Sequence, residues 1–86
     1  MSDQTCLSGI SEESWRAVVE VLAAAGWSLR KGGGLDFSWA VLEREGMRID
    51  MEYDIWQDGD MVFAKTDASA IRADLPATLI LTLRIE

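Results

Sequence analysis

Apolar residues recur along this chain with two different periods, and the change of period divides it into elements. Trp15, Val18, Val19, Leu22 and Ala25 keep the three-and-four spacing of one helical face, with Glu13, Arg16, Glu20 and Ala24 opposite. Ser11 stands as an N-cap, Glu12 and Glu13 suit the positive end of the helix dipole, and Ile10 can close over Trp15 as a hydrophobic staple. Glu12 and Arg16 are an i,i+4 pair, and Gly26 sits where a left-handed residue would end the helix. The spacing predicts a helix over 12–25.

Beyond it the period falls to two. Trp27-Ser28-Leu29-Arg30 reads as a short strand, ended by Lys31-Gly32-Gly33-Gly34, which reads as a flexible connection. The glycines do not match a phosphate-binding loop, because the lysine precedes them and a strand pattern follows. Phe37, Trp39 and Val41, and then Met47, Ile49, Met51, Tyr53 and Ile55, alternate with polar or small residues.

Turn chemistry sets the register between these runs. A two-residue turn at Glu45-Gly46 would put Phe37, Trp39 and Val41 on the face of Asp50, Glu52 and Asp54, mixing apolar with charged groups. A three-residue loop, Arg44-Glu45-Gly46, instead pairs Val41 with Ile49, Trp39 with Met51 and Phe37 with Tyr53. The same loop length at Gln57-Asp58-Gly59, with glycine left-handed, pairs Ile55 with Met61 and Tyr53 with Phe63. The expectation is a meander with one apolar face that buries Trp39 as well as Trp15.

Asp67 to Leu75 has a candidate N-cap and helix formers, with Pro76 as a stop, and Thr78 to Glu86 reads as a closing strand. Residues 1–9 read as a mobile lead-in. The predicted fold is α+β: an N-terminal helix on one face of a four- to five-stranded, mainly antiparallel sheet with a central meander. At 86 residues the chain is expected to form a single domain over 1–86.

In that register the open face carries Arg48, Asp50, Glu52 and Asp54 on the central strand, flanked by Ser38, Ala40 and Leu42 and by Val62, Ala64 and Thr66. Residues 36–60 hold eight carboxylates against two arginines, a net −6 of the chain's −7. A wet sheet face must be polar, but like charges along one strand cost stability that alternating signs would avoid. The stripe is therefore expected to dock a basic partner surface through Asp50, Glu52, Asp54, Asp58 and Asp60, with Trp56 beside the turn as an aromatic anchor.

The remaining composition narrows the function. Net negative charge argues against direct binding to nucleic acid or to anionic membranes, and the longest apolar runs fall short of a bilayer-crossing helix. The N-terminal residues show no secretory signal pattern, and a lone Cys6 forms no internal disulfide, which together point to a cytoplasmic protein. The chain has no histidine, so the common nucleophile–base pairs and imidazole zinc sites are missing. Carboxylates two apart on a strand project in parallel and do not converge on a magnesium ion or a reacting atom, so no enzyme, cofactor or metal site is expected. The expected role is a noncatalytic inhibitor, immunity or adaptor type protein. The alternative is a homodimer formed through the edge of the strand Leu79–Ile85.

Overall fold

The computed structural model describes residues 3–85. Its elements are strand β1 (Gln4–Ile10), helix α1 (Glu12–Ala24), strands β2 (Ser28–Gly33), β3 (Phe37–Arg44), β4 (Met47–Asp54) and β5 (Asp58–Ala64), a 3-10 turn at Lys65–Asp67, and helices α2 (Ala68–Ala73) and α3 (Ala77–Leu83). The five strands form one antiparallel sheet in the order β1-β5-β4-β3-β2. The α+β layout read from the sequence, helix on sheet around a β3-β4-β5 meander, is the one observed.

Helix α1 starts and stops on its local signals. The Ser11 hydroxyl accepts from the Ser14 N–H at 3.2 Å, Arg16 reaches Glu12 at 3.0 Å, and Gly26 takes φ 110° beyond the last turn. Trp15, Val18, Val19 and Leu22 are buried, as their spacing requires.

The β3–β4 register departs from the expected one. The connection is the two-residue turn, with Glu45 at φ 49° and Gly46 at φ 83°, and it pairs Leu42 with Ile49, Ala40 with Met51 and Ser38 with Tyr53. Val41 therefore faces Asp50 rather than Ile49, and a shift of one residue turns every β3 side chain to the other face. Ala40 and Leu42 are buried, while Phe37 and Trp39 stand on the opposite face, so Trp39 is not the core residue expected.

Three causes favour this register. Positive φ at both central residues gives the primed turn whose twist matches that of paired strands. Strand β3 is apolar on both parities, so either face can be buried, and its set Ala40 and Leu42 is the one that lies under the helices. Outside, Trp39 pairs with Gly32 and lies over it: a Cβ on Gly32 would stand 2.9 Å from Trp39 Nε1. The expected glycine linker is thus partly strand, since β2 runs through Gly33 and uses the bare Gly32 as a seat for the indole.

The β4–β5 turn also moves, with a milder consequence. Asp54 pairs with Asp58 across Ile55-Trp56-Gln57, so Tyr53 faces Gly59 and Met51 faces Met61, and Ile55 is half exposed instead of paired in the core. Relative to expectation Tyr53's partner shifts by four residues, from Phe63 to Gly59, and an even shift keeps the same face inside. Asp58, at φ 63°, takes the left-handed position expected of Gly59. Gly59 serves space instead, because a Cβ there would stand 2.5 Å from Trp15 Cδ1.

Both chain ends differ from their reading. Residues 4–9, expected as part of a mobile lead-in, belong with Ile10 to β1 on the outer side of β5, while positions 1–2 of that lead-in lie outside the described residues. The closing segment is the helix α3 and not a strand; Glu86, at the end of the expected strand, lies outside the described residues. Pro76 begins the helix, the Thr82 hydroxyl returns its hydrogen to the Thr78 carbonyl at 2.8 Å, and Arg84 ends it in the left-handed region at φ 59°. Leu83 and Ile85 enter the core, and Leu81 stays exposed.

One cluster of buried side chains joins the helices to a single face of the sheet, among them Leu22, Leu42, Ile49, Met51, Met61, Phe63 and Ile71. Two indoles in it fare differently. Trp27 Nε1 donates to Asp74 at 2.9 Å, and Arg44 holds the same carboxylate at 3.0 Å and the Ala25 carbonyl at 3.2 Å. Trp15 Nε1 is buried with no acceptor among the described residues.

Candidate functional site

The sheet face turned away from the helices carries the candidate site. None of its strand side chains is buried. Its rows follow from the pairing: Glu43 beside Arg48, Val41 beside Asp50, Trp39 beside Glu52 and Phe37 beside Asp54, with Asp60 across from Glu52 and Val62 across from Asp50. The carboxylates Asp50, Glu52 and Asp54 do point away from Met51 and Tyr53, as expected. Ala40 and Leu42, expected beside them, lie underneath with Ser38 on the same parity. On its β3 side the acidic strand is therefore flanked by Phe37, Trp39 and Val41 and not by small residues, while on its β5 side Val62 stands beside Asp50 as expected.

Charge is not uniform across this face. At one end Arg48 binds Asp50 at 3.0 Å along the strand, and Arg30 binds Glu43 at 3.2 Å across β2 and β3. Hydrogen bonding to Asp50, then its charge, holds the Arg48 guanidinium still more firmly protonated than usual. At the other end Glu52, Asp54, Asp58 and Asp60 have no cationic group within 4.0 Å among the described residues.

The unneutralised end is also where exposed apolar surface collects. Leu35 (102% exposed), Trp56 (81%), Ile55 (50%), Phe37 (39%) and Trp39 (36%) are five of the six large apolar residues exposed in the described chain. The two loops that carry them are tied together, because the Ile55 N–H donates to the Asp36 carbonyl at 3.3 Å. Asp54 shapes its own turn: one carboxylate oxygen accepts from the Trp56 N–H at 2.7 Å and its carbonyl accepts from the Gln57 N–H at 3.2 Å. Trp56 is thereby held outward on a defined turn.

Of the residues expected to form the contact surface, Glu52, Asp54, Trp56, Asp58 and Asp60 come together at this end, and Asp50 lies one row away, occupied by Arg48. Sequence reasoning assigned Phe37 and Trp39 to the core and so missed them, along with Leu35 and Ile55. The available signal was the second apolar parity of β3, Ala40 and Leu42.

Among the described residues no three His, Cys, Asp or Glu side chains gather closely enough to hold a metal ion. No helix among them is long and apolar enough to cross a membrane. Exposed apolar side chains set in rows beside carboxylates are the composition of an interface whose centre is dry and whose edge selects for positive charge. The chain matches no protein-family model, no curated protein and no solved structure.

Proposed function

We propose that this chain is a noncatalytic protein-interaction module, of inhibitor, immunity or adaptor type, that docks a basic surface of another protein in the cytoplasm. The contact surface is the unneutralised end of the uncovered face. Trp56, Trp39 and Phe37 supply the desolvated anchors, and Glu52, Asp54, Asp58 and Asp60 surround them with negative charge. Asp50 contributes from the margin, by exchanging Arg48 for a cation of the partner.

The observation that carries the reading is the coincidence of the two patches. Exposed aromatic residues alone suit any partner, and exposed carboxylates alone suit solvation. Together they favour a surface rich in arginine and lysine, whose aliphatic stems cover aromatic faces while their heads meet carboxylates. Phosphate backbones and anionic lipid headgroups are repelled by the same charges, so nucleic acid and membranes are not the ligand.

The test is affinity capture from source-cell lysate at low and moderate salt, comparing the native chain with two variants. One reverses Asp50, Glu52 and Asp54 to lysine, and the other truncates Trp39 and Trp56 to alanine. A partner with a basic surface, retained by the native chain, weakened by salt and lost from both variants, is the expected result. Retention by the charge-reversed chain equal to that of the native chain removes the reading.

A further inference from the structure

The cleft between α1 and the β2 edge of the sheet is a second surface with recognisable chemistry. It encloses about 450 Å³, within the range of roughly 300–1,000 Å³ usual for ligand pockets. Trp15, Arg16, Val19 and Glu20 line it from the helix, and Lys31, the glycines 32–34, Ser38, Trp39 and Ala40 line it from the sheet, Trp39 reaching it around the β2 edge over Gly32.

Its sheet-side wall is an unpaired strand edge. Strand β2 is outermost in the sheet, next only to β3. The Gly34 N–H donates to the Phe37 carbonyl at 2.8 Å, which marks a hydrogen-bonded pair in this hairpin. Alternation along an antiparallel ladder makes Gly32–Trp39 and Arg30–Val41 hydrogen-bonded pairs too, so Leu29 and Lys31 turn their N–H and C=O groups outward. Glycines 32–34 leave the continuing edge bare of side chains.

The charge beside that edge points to the occupant. On the helix wall Arg16 is already bound to Glu12 and Glu20 has no cation within 4.0 Å, while the one charge that the strand edge brings to the cleft is Lys31, with no carboxylate within 4.0 Å among the described residues. Lys31 shares the parity of its pairing partner Ala40 and so faces the helix side, into the space between β2 and α1.

We infer that this cleft binds an extended peptide segment that adds to β2 as a sixth strand, with a carboxylate side chain opposite Lys31. Leu29 and Lys31 hydrogen-bond its backbone, and alternate side chains of the segment enter the cleft over Trp15, Val19 and Ala40. The site shares Trp39 with the acidic face but none of that face's carboxylates, and at Lys31 it takes a group of opposite charge.

An inward-facing lysine on an edge strand is also a device that prevents unwanted strand pairing, and the two roles give opposite outcomes. Random seven-residue peptides displayed on phage are selected against the full-length chain, and enriched sequences are synthesised and titrated by fluorescence anisotropy. Enrichment of β-prone sequences bearing Asp or Glu is expected. Lys31→Pro removes one outward N–H without touching the β3 ladder, and weakens those peptides about tenfold or more, with Lys31→Glu weakening them at least as much. The Asp50, Glu52 and Asp54 reversal to lysine leaves them bound, which separates this site from the acidic face. Circular dichroism verifies the fold of each variant, and Lys31→Glu decides alone if Lys31→Pro fails to fold. No enrichment over the unselected library, affinity unchanged in Lys31→Glu, or a Lys31→Ala chain that self-associates while binding the peptides as tightly as the native chain overturns the inference.

Discussion

On the covered face of the sheet Leu42, Ile49, Met51, Met61 and Phe63 are withdrawn from water by the helices, whereas on the other face Trp39 and Phe37 share rows with Glu52 and Asp54 in the open. One strand, β3, supplies apolar residues to both. The difference shows that hydrophobicity alone does not decide which side of a strand is buried. Turn geometry decides here: the primed two-residue turn at Glu45-Gly46 sets the register that turns Ala40 and Leu42 under the helices. The larger parity is left in water, where its aromatic residues become material for an interface.

The sharpest way to break that comparison is to charge one residue on each face. Leu42→Lys buries an unpaired ammonium in the core and costs more than about 4 kcal/mol, enough to unfold a domain of this size. Val41→Lys, one residue away, points a lysine outward beside Asp50 and changes stability by less than about 1 kcal/mol. Urea titrations followed by circular dichroism measure both. A reversed order of damage would restore the register in which Val41 is buried.

A smaller effect separates the two residues at the β4–β5 turn. Gly59→Ala drives a methyl into the Trp15 ring and costs about 1–3 kcal/mol by overpacking. Asp58→Gly relieves a left-handed aspartate and gains roughly 0.5–1 kcal/mol. Had Gly59 held the left-handed position, Asp58→Gly would destabilise by adding backbone freedom to the unfolded chain, so the sign of that change in thermal melting settles the assignment.

How far the sequence disclosed this molecule follows from where its signals were local. The α1 boundaries rested on Ser11, Glu12, Arg16 and Gly26, whose partners lie within one turn, and they were legible to within a residue. The outward direction of Asp50, Glu52 and Asp54 was legible because β4 is apolar on one parity only. The β3 faces were not, since both parities are apolar and the seat of the Trp39 indole over Gly32 is a contact between strands that no local signal announces. The C-terminal segment misled for a related reason. Leu79, Leu81, Leu83 and Ile85 alternate as a strand, but Leu79, Ile80 and Leu83 also share a helical face, and β1 already holds the outer side of β5. With that segment helical, the expected dimer through a strand edge at Leu79–Ile85 loses the strand it required.

The smallest predicted effect probes the β3–β4 turn itself, the element that sends Trp39 outward. In the observed two-residue turn Glu45 has φ 49°, a conformation that asparagine tolerates better than glutamate because its short side chain can hydrogen-bond locally. Glu45→Asn therefore raises stability by roughly 0.5 kcal/mol, read from the midpoint of a urea titration. Removing a carboxylate from an acidic chain also relieves repulsion, so Glu45→Gln is the reference: it removes the same charge and keeps the long side chain. In a three-residue loop Glu45 would sit in the right-handed region, where asparagine and glutamine are nearly equivalent, and the gain of asparagine over glutamine would vanish. A surviving difference between the two variants locates positive φ at Glu45, and with it the parity that places the aromatic residues of β3 beside the carboxylates of β4.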